Sequence, residues 1–390
     1  MIPQRELAAL RAEWTLDQGV IERDYILGWL LAGIAAHEAL NRTWVFKGGT
    51  CLRKCYYETF RFSEDLDFTI VDGGPEEPDD LTRVFGEVAE WLLEESGIEL
   101  VLDQRSFQRR QNRCGRPTTQ ARIAYRGPNG NPNMPKVKLD LTADEVLVDR
   151  PVVRPVGDPY SDHLPATGVL CYSITELFGE KLRALAERCR PRDLYDIVHM
   201  HRHHDLIGLA PAVRRVLERK CAHAGIEVPT AASIETSPFR AEIESEWENM
   251  LGHQLPRPLA PFEGFWGALD DVFSWLAGTR QIRALPRAEV GKATEWAAPK
   301  AITSWRQQVP LELLRYAGAN RLKVDIDYRA EQGRQGARRV EPYSLRHTQD
   351  GNLVLFVVND EGNLRSYRVD RIAAIRPTAV SFTPKFQVEF

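Results

Sequence analysis

The sequence predicts an α+β fold, with a mixed sheet flanked by helices, then a helical middle region, then a small β-rich domain. Three observations support this prediction. As far as residue 142, segments that alternate like strands are interspersed with segments that have the periodicity of amphipathic helices. Beyond Pro165 the pattern is mainly helical. From residue 321 onward, alternating segments separated by Gly-containing turns replace the helices.

The changes in pattern also predict where the domains begin and end. A chain of 390 residues can hold two or three domains with cores of their own. Residues 279–302 have weak periodicity and several Ala, Pro and charged residues, so we expect a linker there. We therefore predict a first domain at 1–165, a helical region at 166–278, this linker, and a β-rich domain at 303–390.

The bulk composition is that of a folded protein, with 43% hydrophobic and 27% charged residues. The longest apolar run, residues 26–36, is too short to span a membrane. The first ten residues, MIPQRELAAL, lack the features of a secretion signal, so we expect a cytoplasmic protein. The six cysteines include no C-x-x-C pair, which indicates buried or inert thiols rather than a metal site.

The elements of the first domain follow from their patterns. Residues 5–41 have apolar side chains at helical spacing, and residues 65–70 alternate as a strand does. The Gly, Pro and acidic residues at 71–79 predict a loop. The other predicted elements are a strand at 44–46, helices at 50–59 and 80–96, and strands at 98–108, 119–126 and 136–142.

Two helix starts are marked in the region after Pro165. Ser173 and Glu176 form the pattern of a capping box, which predicts a helix at 173–188. Pro191 suits the first position of the next helix, and helices continue to about residue 278. The run HMHRHH at the end of that helix has no H-E-x-x-H motif, so we interpret its histidines as helix-terminal cations rather than metal ligands. They are His199, His201, His203 and His204.

Carboxylates on two predicted strands indicate a metal site. Asp65 and Asp67 are two residues apart, so their side chains leave the same face of a strand, about 7 Å apart. A lone D-x-D is more often just a polar strand face, but Asp140 lies on a second alternating strand, KVKLDL. If the two strands are neighbours, three carboxylates meet, and such hard oxygen ligands select Mg²⁺ or Mn²⁺. The chemistry that suits them is two-metal phosphoryl transfer.

A Gly-Gly-Thr turn lies just upstream of these carboxylates. Gly48 and Gly49 let backbone N–H groups approach phosphate oxygens, and the helix that begins near Thr50 points its positive end at them. Ser63 could donate a hydrogen bond to a phosphate. The pattern of a Gly pair, then S-x-D-x-D, then a later strand Asp is far more specific than any one of its parts.

The charge distribution favours a polyanionic partner. Net charge is −4, but from Arg105 to Arg126 there are seven arginines and no acid. A solvated loop is one interpretation, and an arm that binds an RNA or DNA backbone is the other. The candidates for such contacts are Arg105, Arg109, Arg110, Arg113 and Arg116. A cationic small acceptor such as an aminoglycoside would be repelled.

Five blocks in this order, FKGGT, RFSEDLDF, KLD, SITELFGEKLRAL and RDLYDI, resemble the AbiEii/MenT family of nucleotidyltransferase toxins. This family lies within the DNA polymerase β-like nucleotidyltransferase superfamily, and the resemblance covers roughly residues 20–205. It implies a polymerase β-like fold and transfer of a nucleotide from an NTP, with Mg²⁺, to the 3′ acceptor end of tRNA, which blocks translation. It also implies a cognate antitoxin encoded nearby and a role in phage defence.

The resemblance assigns roles to individual residues. Gly48, Gly49, Thr50 and Ser63 match the triphosphate-binding positions, with a basic residue, Lys47, before them; Asp65, Asp67 and Asp140 match the metal-binding acids. Lys181 matches a lysine that meets nucleotide phosphates, and Asp193 matches a later acid of the active site. From the residues alone, Lys181 could equally be a solvent-facing lysine, and Asp193 could simply favour a helix N-terminus.

The C-terminal residues resemble a WYL domain, which implies a small Sm-type barrel. The resemblance rests on the segments DIDY, RRVEP and RSYRVDRI, but Leu353-Val354-Leu355 stand where the tripeptide that names the family would be. WYL modules bind ligands or nucleic acid, and the candidates for anion contacts are Arg339, Arg365, Arg368 and Arg371. A purely structural barrel is the alternative.

Two other functions stay open at this point. The enzyme could modify a protein side chain (AMPylation) or a small molecule instead of RNA. The protein could also be a non-catalytic regulator whose WYL-like domain senses a ligand.

Overall fold

The computed structural model describes most of the chain, and it forms two compact units. The described residues are 1–57, 60–111, 115, 117–162, 164–165, 168–203, 206–236, 238–289, 295–296, 311–330 and 335–390. The first unit comprises Met1–Ala8, Asp17–Glu187 and Ala212–Val228. The second comprises Ala9–Leu16, Arg188–Pro211 and Pro229–Phe390.

The N-terminal half of the chain contains both helices and strands. The helices are α1 (Gln4–Trp14), α2 (Gln18–Ala36), α3 (Glu38–Thr43), α4 (Gly48–Cys51, continued by a π-turn at Leu52–Tyr56), α5 (Pro78–Ser96) and α6 (Ile174–Arg188). The strands are β1 (Trp44–Lys47), β2 (Asp65–Ile70), β3 (Glu99–Val101), β4 (Phe107–Gln111), β5 (Pro117–Arg126), β6 (Lys136–Thr142), β7 (Val152–Pro155) and β8 (Gly168–Cys171).

These strands form one mixed sheet in the order β3-β5-β6-β2-β1-β8-β7, with β4 also paired to β5. The β2–β6 and β1–β8 pairs are parallel and the others are antiparallel. Alternate residues of β2 and β6 are buried, because one face of the sheet packs on the core and the other carries the polar side chains. The predicted mixed sheet with flanking helices is confirmed.

Two strands of this sheet were not predicted. Strands β7 and β8 are four residues each, at 152–155 and 168–171, where we expected no strand. Four residues are too few for an alternating pattern to be distinguished from a loop or a buried helical turn. Strand β8 nevertheless lies beside β1, where Cys171 is opposite Phe46.

The predicted capping box is only half correct. The Ser173 hydroxyl accepts a hydrogen bond from the Glu176 amide at 3.1 Å, as expected. The Glu176 carboxylate does not return to Ser173 but accepts from the backbone N–H groups of Val148 and Asp149 and pairs with Lys220. A buried lysine is a stronger partner than a backbone amide, so the carboxylate is drawn into the core.

The rest of the chain provides further helices and a second sheet. The helices are α7 (Pro191–His201), α8 (Ala210–Ala224), α9 (Ala231–Glu235), α10 (Arg240–Leu251), α11 (Phe262–Trp266), α12 (Leu269–Ala277) and α13 (Leu311–Ala319). The strands are β9 (Glu295–Trp296), β10 (Leu322–Arg329), β11 (Gln335–His347), β12 (Leu353–Asn359), β13 (Leu364–Arg368) and β14 (Ile372–Ser381), with a 3₁₀ turn at Val369–Arg371.

The second sheet is entirely antiparallel, in the order β13-β12-β11-β10-β14, with β9 paired to β11. The predicted β-rich C-terminal region is confirmed, and so is the α+β class. Residues 290–294 and 297–302 of the expected linker at 279–302 lie outside the described residues, and the bounds of the four predicted segments stay predictions. Of the helices that the structure describes, none is long and apolar enough to cross a membrane.

Candidate active site

Strand register brings the predicted acids together on one face of the first sheet. Asp67 lies directly opposite Asp140 across the parallel β2–β6 pair, and Lys47 of β1 lies opposite Asp67 on its other side. Gln120 of β5 lies opposite Asp140. Side chains that are opposite in register leave the same face of a sheet, so one row runs Lys47, Asp67, Asp140, Gln120.

A second row runs parallel to the first. Asp65 lies opposite Lys138, and Lys138 lies opposite Arg122. Because Asp65 and Asp67 are two residues apart, both rows belong to the same face. The sheet therefore presents three carboxylates of adjacent strands side by side.

Asp67 is the most crowded of these carboxylates. Burial and the neighbouring charges of Asp140 and Asp65 raise its pKa from 3.8 to about 6, although Lys47 and Lys181 oppose the shift. The ionised form of Asp67 is thus poorly compensated by the protein itself. A cation beside Asp67 would relieve that repulsion.

Lys138 places an ammonium group among the same acids. Its Nζ forms a hydrogen-bonded ion pair with Asp140 and lies 3.9 Å from the Asp65 carboxylate. Burial works against the lysine's charge, but these acids outweigh it and raise its pKa. Lys138 therefore interacts most strongly with Asp140 and Asp65 and less strongly with Asp67.

The chemistry of the three acids suits a hard divalent cation, but their carboxylate oxygens lie too far apart to bind one ion as they stand. Among the described residues, the only group of three possible ligand atoms that lie within 4.8 Å of one another is a cysteine cluster, so the carboxylates of Asp65, Asp67 and Asp140 are more widely spread. Carboxylate oxygens are the ligands that Mg²⁺ and Mn²⁺ prefer. Side-chain rotation, with Lys138 moving away from Asp140, is needed to bring them to one ion.

The Gly-Gly turn lies against these carboxylates. Gly48 has φ +81°, and a Cβ atom there would lie 2.2 Å from Asp67 Oδ2, so only glycine fits. A Cβ atom on Gly49 would lie 2.5 Å from the Arg61 guanidinium and 3.1 Å from the Ser63 hydroxyl. The turn, Ser63 and Asp67 are therefore neighbours, as the motif predicted.

Thr50 holds this turn in place through a side-chain hydrogen bond. Its side chain is fully buried, and its hydroxyl donates a hydrogen bond to the Asp65 backbone carbonyl at 2.5 Å. This bond ties the start of the helix to the start of β2. The contribution of the Thr50 hydroxyl is thus to position the turn and the strand.

A buried network of charges extends from Lys47. Its ammonium group pairs with Glu145, which also accepts hydrogen bonds from Tyr172 at 2.8 Å and Thr69 at 2.9 Å. Burial acts to raise the Glu145 pKa, but the charges of Lys47 and Lys220 lower it overall. Glu145 was not among the predicted site residues, because the residues around it have no regular structure and give no periodic signal.

Lys220 of α8 is a second residue near the site that was not predicted from the sequence. It is buried and pairs with Glu176 at 2.8 Å and Glu180 at 3.2 Å, both on α6. Glu180 is one residue before Lys181, which is also buried and acts electrostatically on Asp67. The network therefore holds α6 so that Lys181 belongs to the surroundings of the carboxylates rather than to the solvent.

Asp193, by contrast, belongs to the second unit. It is completely buried near the start of α7, where Arg188 binds both of its oxygens, at 2.8 and 2.9 Å. A bidentate arginine satisfies most of what a buried carboxylate needs. An active-site role for Asp193 stays a prediction.

The arginine run is divided between the two faces of the sheet. Arg110 and Arg122 have the same strand parity as Gln120 and so share the face of the carboxylates. Arg109 lies on the opposite face and pairs with Glu76 and Glu77. Arg105 is exposed in the turn before β4, and Arg113 and Arg116 lie outside the described residues.

The arginines proposed for the WYL-like domain are partly neutralised. Asp325 binds Arg339 through both oxygens, at 2.8 and 3.0 Å, and Asp370 pairs with Arg368. Arg365 donates to the backbone carbonyl of Leu364, and Arg371 ends the 3₁₀ turn. An anion contact by these four stays a prediction.

Three cysteines converge beneath the Gly-Gly turn. The sulfur atoms of Cys51, Cys55 and Cys171 lie within 4.8 Å of one another, and all three residues are buried. Hydrogen bonds from the other two thiols and from Tyr56 lower the Cys171 pKa, while burial raises that of Cys51. Helical spacing accounts for Cys51 and Cys55, whereas Cys171 arrives on the unpredicted strand β8.

Comparison with solved structures gives remote similarities. The chain is similar to MenT4, a nucleotidyltransferase toxin from Mycobacterium tuberculosis H37Rv, at 23% identity and a TM-score of 0.47, over 71% of this chain and 90% of that one. It is also similar to proteasome accessory factor B/C of Arthrobacter aurescens, at 10% identity and a TM-score of 0.19, over 92% and 71% of the two chains. Both TM-scores are below 0.5, so nothing is inferred from either protein.

Comparison with family models is more specific. No curated protein matches the chain. The WYL domain model matches residues 310–377. The model described as nucleotidyl transferase AbiEii toxin, type IV toxin–antitoxin system, matches residues 29–272, more than half of the chain, and includes every residue of the carboxylate face. The chain therefore belongs to the AbiEii family of nucleotidyltransferase toxins of type IV toxin–antitoxin systems.

Proposed function

We propose that this nucleotidyltransferase transfers a nucleoside monophosphate from an NTP to the 3′ end of tRNA and thereby blocks translation. The observation that carries the proposal is the direct register of Asp67 with Asp140, beside Asp65 and against the backbone of Gly48. Three carboxylates next to a glycine turn suit a triphosphate substrate and a developing charge at phosphorus.

The residues around the turn would bind the triphosphate. Backbone N–H groups at Gly48 and Gly49 and the Ser63 hydroxyl are neighbours, and Lys181 adds a cation on the same side. Lys47 is committed to Glu145, so we assign it to holding the site rather than to direct phosphate contact.

A divalent ion, Mg²⁺ or Mn²⁺, held by Asp65, Asp67 and Asp140 would neutralise the triphosphate and acidify the attacking hydroxyl. The 3′ oxygen of the RNA forms a bond to the α-phosphorus, the bond to the β-phosphate breaks, and pyrophosphate leaves. The proton of the hydroxyl passes to a carboxylate, for which Asp140 is our candidate because it lies on the side of Asp67 that faces the basic residues of β5.

The charges on the carboxylate face indicate the class of the acceptor. Beyond Asp140, the same face carries Lys138 and Lys136 of β6, Arg122 and Arg126 of β5, and Arg110 of β4. A basic surface that begins at the reaction site favours a polyanionic acceptor over a cationic one. Single-stranded 3′ ends can in addition stack on arginine.

The deciding experiment is labelling with each of the four NTPs in turn. The purified full-length chain is incubated with Mg²⁺, one α-labelled NTP, and either total cell RNA or total cell protein. We expect label in the tRNA fraction, none with Asp65→Asn, and normal labelling with the exposed control Asp80→Asn. Label confined to protein would favour AMPylation, and absence of pyrophosphate release with every NTP would contradict catalysis.

Family membership implies an antitoxin partner. We propose that it is encoded next to this chain and protects cells without removing the protein. Co-expression of the neighbouring reading frame should restore growth in cells that produce the wild-type chain, at an unchanged level of that chain on immunoblots. Growth inhibition that persists with every neighbouring frame would contradict this assignment.

A further inference from the structure

A small cavity in the second unit is separate from the carboxylate face. It lies between the C-terminal end of α7, residues 282–285, the start of β10 and the last residues of the chain. Its volume is about 90 Å³. Three arginines line it, the exposed Arg283 and the half-buried Arg202 and Arg321. The other polar and aromatic lining residues are His199, His203, Gln387 and Phe390.

Neither Arg202 nor Arg321 is neutralised by an acid among the residues that the structure describes. Arg202 lies over the ring of Phe265 at 4.8 Å, and its Nη1 atom is inaccessible to solvent and has no hydrogen-bond partner there. Arg321 donates one hydrogen bond, to the backbone carbonyl of Gly318 at 2.9 Å. An aromatic face and one carbonyl are weak compensation for two guanidinium charges.

The two charges also disfavour each other. Burial lowers the pKa of Arg202 to about 10 and that of Arg321 to about 9, and for Arg321 the charge of Arg202 adds to the effect. Elsewhere in the same unit, the buried guanidinium of Arg346 is paired with Glu389 at 3.1 Å. Arg346 thus has an acid of its own, whereas the charges of Arg202 and Arg321 face a cavity that an anion could enter.

We propose that this cavity binds a small phosphate-class oxyanion, either inorganic phosphate or the phosphate group of a monoester. The planar fork of arginine matches the oxygens of phosphate in two parallel hydrogen bonds. A volume of about 90 Å³ has room for one tetrahedral oxyanion between the two arginines. Ile282 and Val388 add apolar walls that limit competition from water.

The bound anion joins two parts of the second unit. Arg202 follows directly after α7, whereas Arg321 directly precedes β10 of the WYL-like domain. One anion between them replaces a repulsion by two attractions, so it stabilises the packing of α7 on that domain. This proposal concerns residues outside the carboxylate face and does not depend on the acceptor of the enzyme.

The test is a phosphate titration of the full-length chain in phosphate-free buffer at constant ionic strength, followed by thermal unfolding and by calorimetry. Chloride serves as the inert salt, and inorganic phosphate and glycerol 3-phosphate are the two arms. We expect saturable binding with a rise in Tm in at least one arm. Binding of phosphate alone identifies the free ion, and binding of both identifies the monoester class.

Variants locate the site. Arg202→Gln and Arg321→Gln should each weaken binding at least tenfold, and each should melt at the same or a higher temperature than wild type without phosphate, because the repulsion is gone. Arg339→Gln, an arginine paired with Asp325, is the matched control and should bind normally. Asp65→Asn should also bind normally, which separates this cavity from the triphosphate site.

Two results would overturn the proposal. One is a wild-type chain whose Tm and calorimetric signal do not respond to either anion. The other is unchanged affinity in both glutamine variants. If a glutamine variant fails to fold, Arg202→Lys takes its place, because it keeps the charge, loses the fork and should weaken binding with a normal circular dichroism spectrum.

Discussion

Among single residues, Asp67 shows how the site depends on its surroundings. Its carboxylate lies between Lys47 and Asp140 in register, and the backbone of Gly48 closes a third side. The alternation of RFSEDLDF was enough to predict that Asp65 and Asp67 share a face. Nothing local predicted the raised pKa, because that shift depends on burial in the fold and on Asp140, which is distant in sequence.

The raised pKa of Asp67 makes stability depend on pH. The folded protein holds this proton up to about pH 6, whereas the unfolded chain releases it near 3.8, so stability falls as pH rises between these values. Without divalent ions, Asp67→Asn should flatten that fall and raise the free energy of unfolding at pH 7 by roughly 1–2 kcal/mol. Urea unfolding at pH 4 to 8 measures it.

The same titration should govern metal binding. A cation needs the ionised carboxylate, so the affinity of the wild-type chain for Mn²⁺ should fall steadily as pH drops below about 6. The matched variant Asp80→Asn should keep the wild-type profile in both measurements. A wild-type stability curve without any fall between pH 4 and 6 would contradict the placement of Asp67.

Gly48 offers a second prediction at this scale. Gly48→Ala forces a side chain into a left-handed backbone at a cost of about 1–2 kcal/mol and also places Cβ against Asp67. Gly73→Ala has the same backbone problem at φ +69° but open space around it. We expect similar losses of stability but a loss of nucleotide transfer in Gly48→Ala only, measured by the labelling assay. Equal activity in the two variants would show that contact with Asp67 is unimportant.

At the scale of elements, the register of strands decides the site. Strands β2 and β6 were predicted to the residue, yet that they are neighbours was only a condition, and the direction of their pairing was not predicted. Strand alternation gives the face of each residue but not its neighbour strand, which depends on the whole sheet. Glu145 and Lys220 were missed for the same reason, since their partners are far away in sequence.

The two faces of β4 provide a test of RNA binding. Arg110→Gln should weaken binding of tRNA and reduce the slope of log affinity against log salt by about 1, because one phosphate contact is lost. Arg109→Gln, one residue earlier but paired with Glu76 and Glu77 on the opposite face, should change neither. Filter binding between low and moderate salt measures both. A larger loss of tRNA affinity from Arg109→Gln than from Arg110→Gln would place the RNA on the face opposite the carboxylates and contradict the proposal.

For the whole molecule, the division into two units cuts across the helical stretch predicted at 166–278. Helix α6 as far as Glu187 and α8 from Ala212 belong to the first unit, and α7 belongs to the second. An amphipathic pattern predicts that a helix buries one face but not which element covers it. The periodicity therefore predicted helices after residue 165, whereas the grouping of these helices depends on contacts that periodicity does not specify.

A buried ion pair in the second unit provides the prediction at this scale. Glu389→Ala leaves the guanidinium of Arg346 buried without its acid, which should cost about 3–5 kcal/mol. Asp370→Ala removes the exposed partner of Arg368 and should cost less than about 1 kcal/mol. Calorimetry should show that Glu389→Ala lowers the melting temperature of the second unit, while NTP with Mg²⁺ still stabilises the first. If NTP with Mg²⁺ no longer stabilised the first unit in Glu389→Ala, the expectation that this substitution affects only the second unit would be contradicted.

The contact between Gly48 and Asp67 also constrains how such a toxin can change over generations. Any side chain at position 48 collides with the carboxylate at 67, so a lineage cannot replace the glycine while it keeps the acid. Once the acid is lost, however, only the left-handed backbone still disfavours a side chain at position 48, so a larger residue can become fixed. Among relatives, inactive copies should therefore carry changes at both positions, and reversal of either one alone should not restore toxicity.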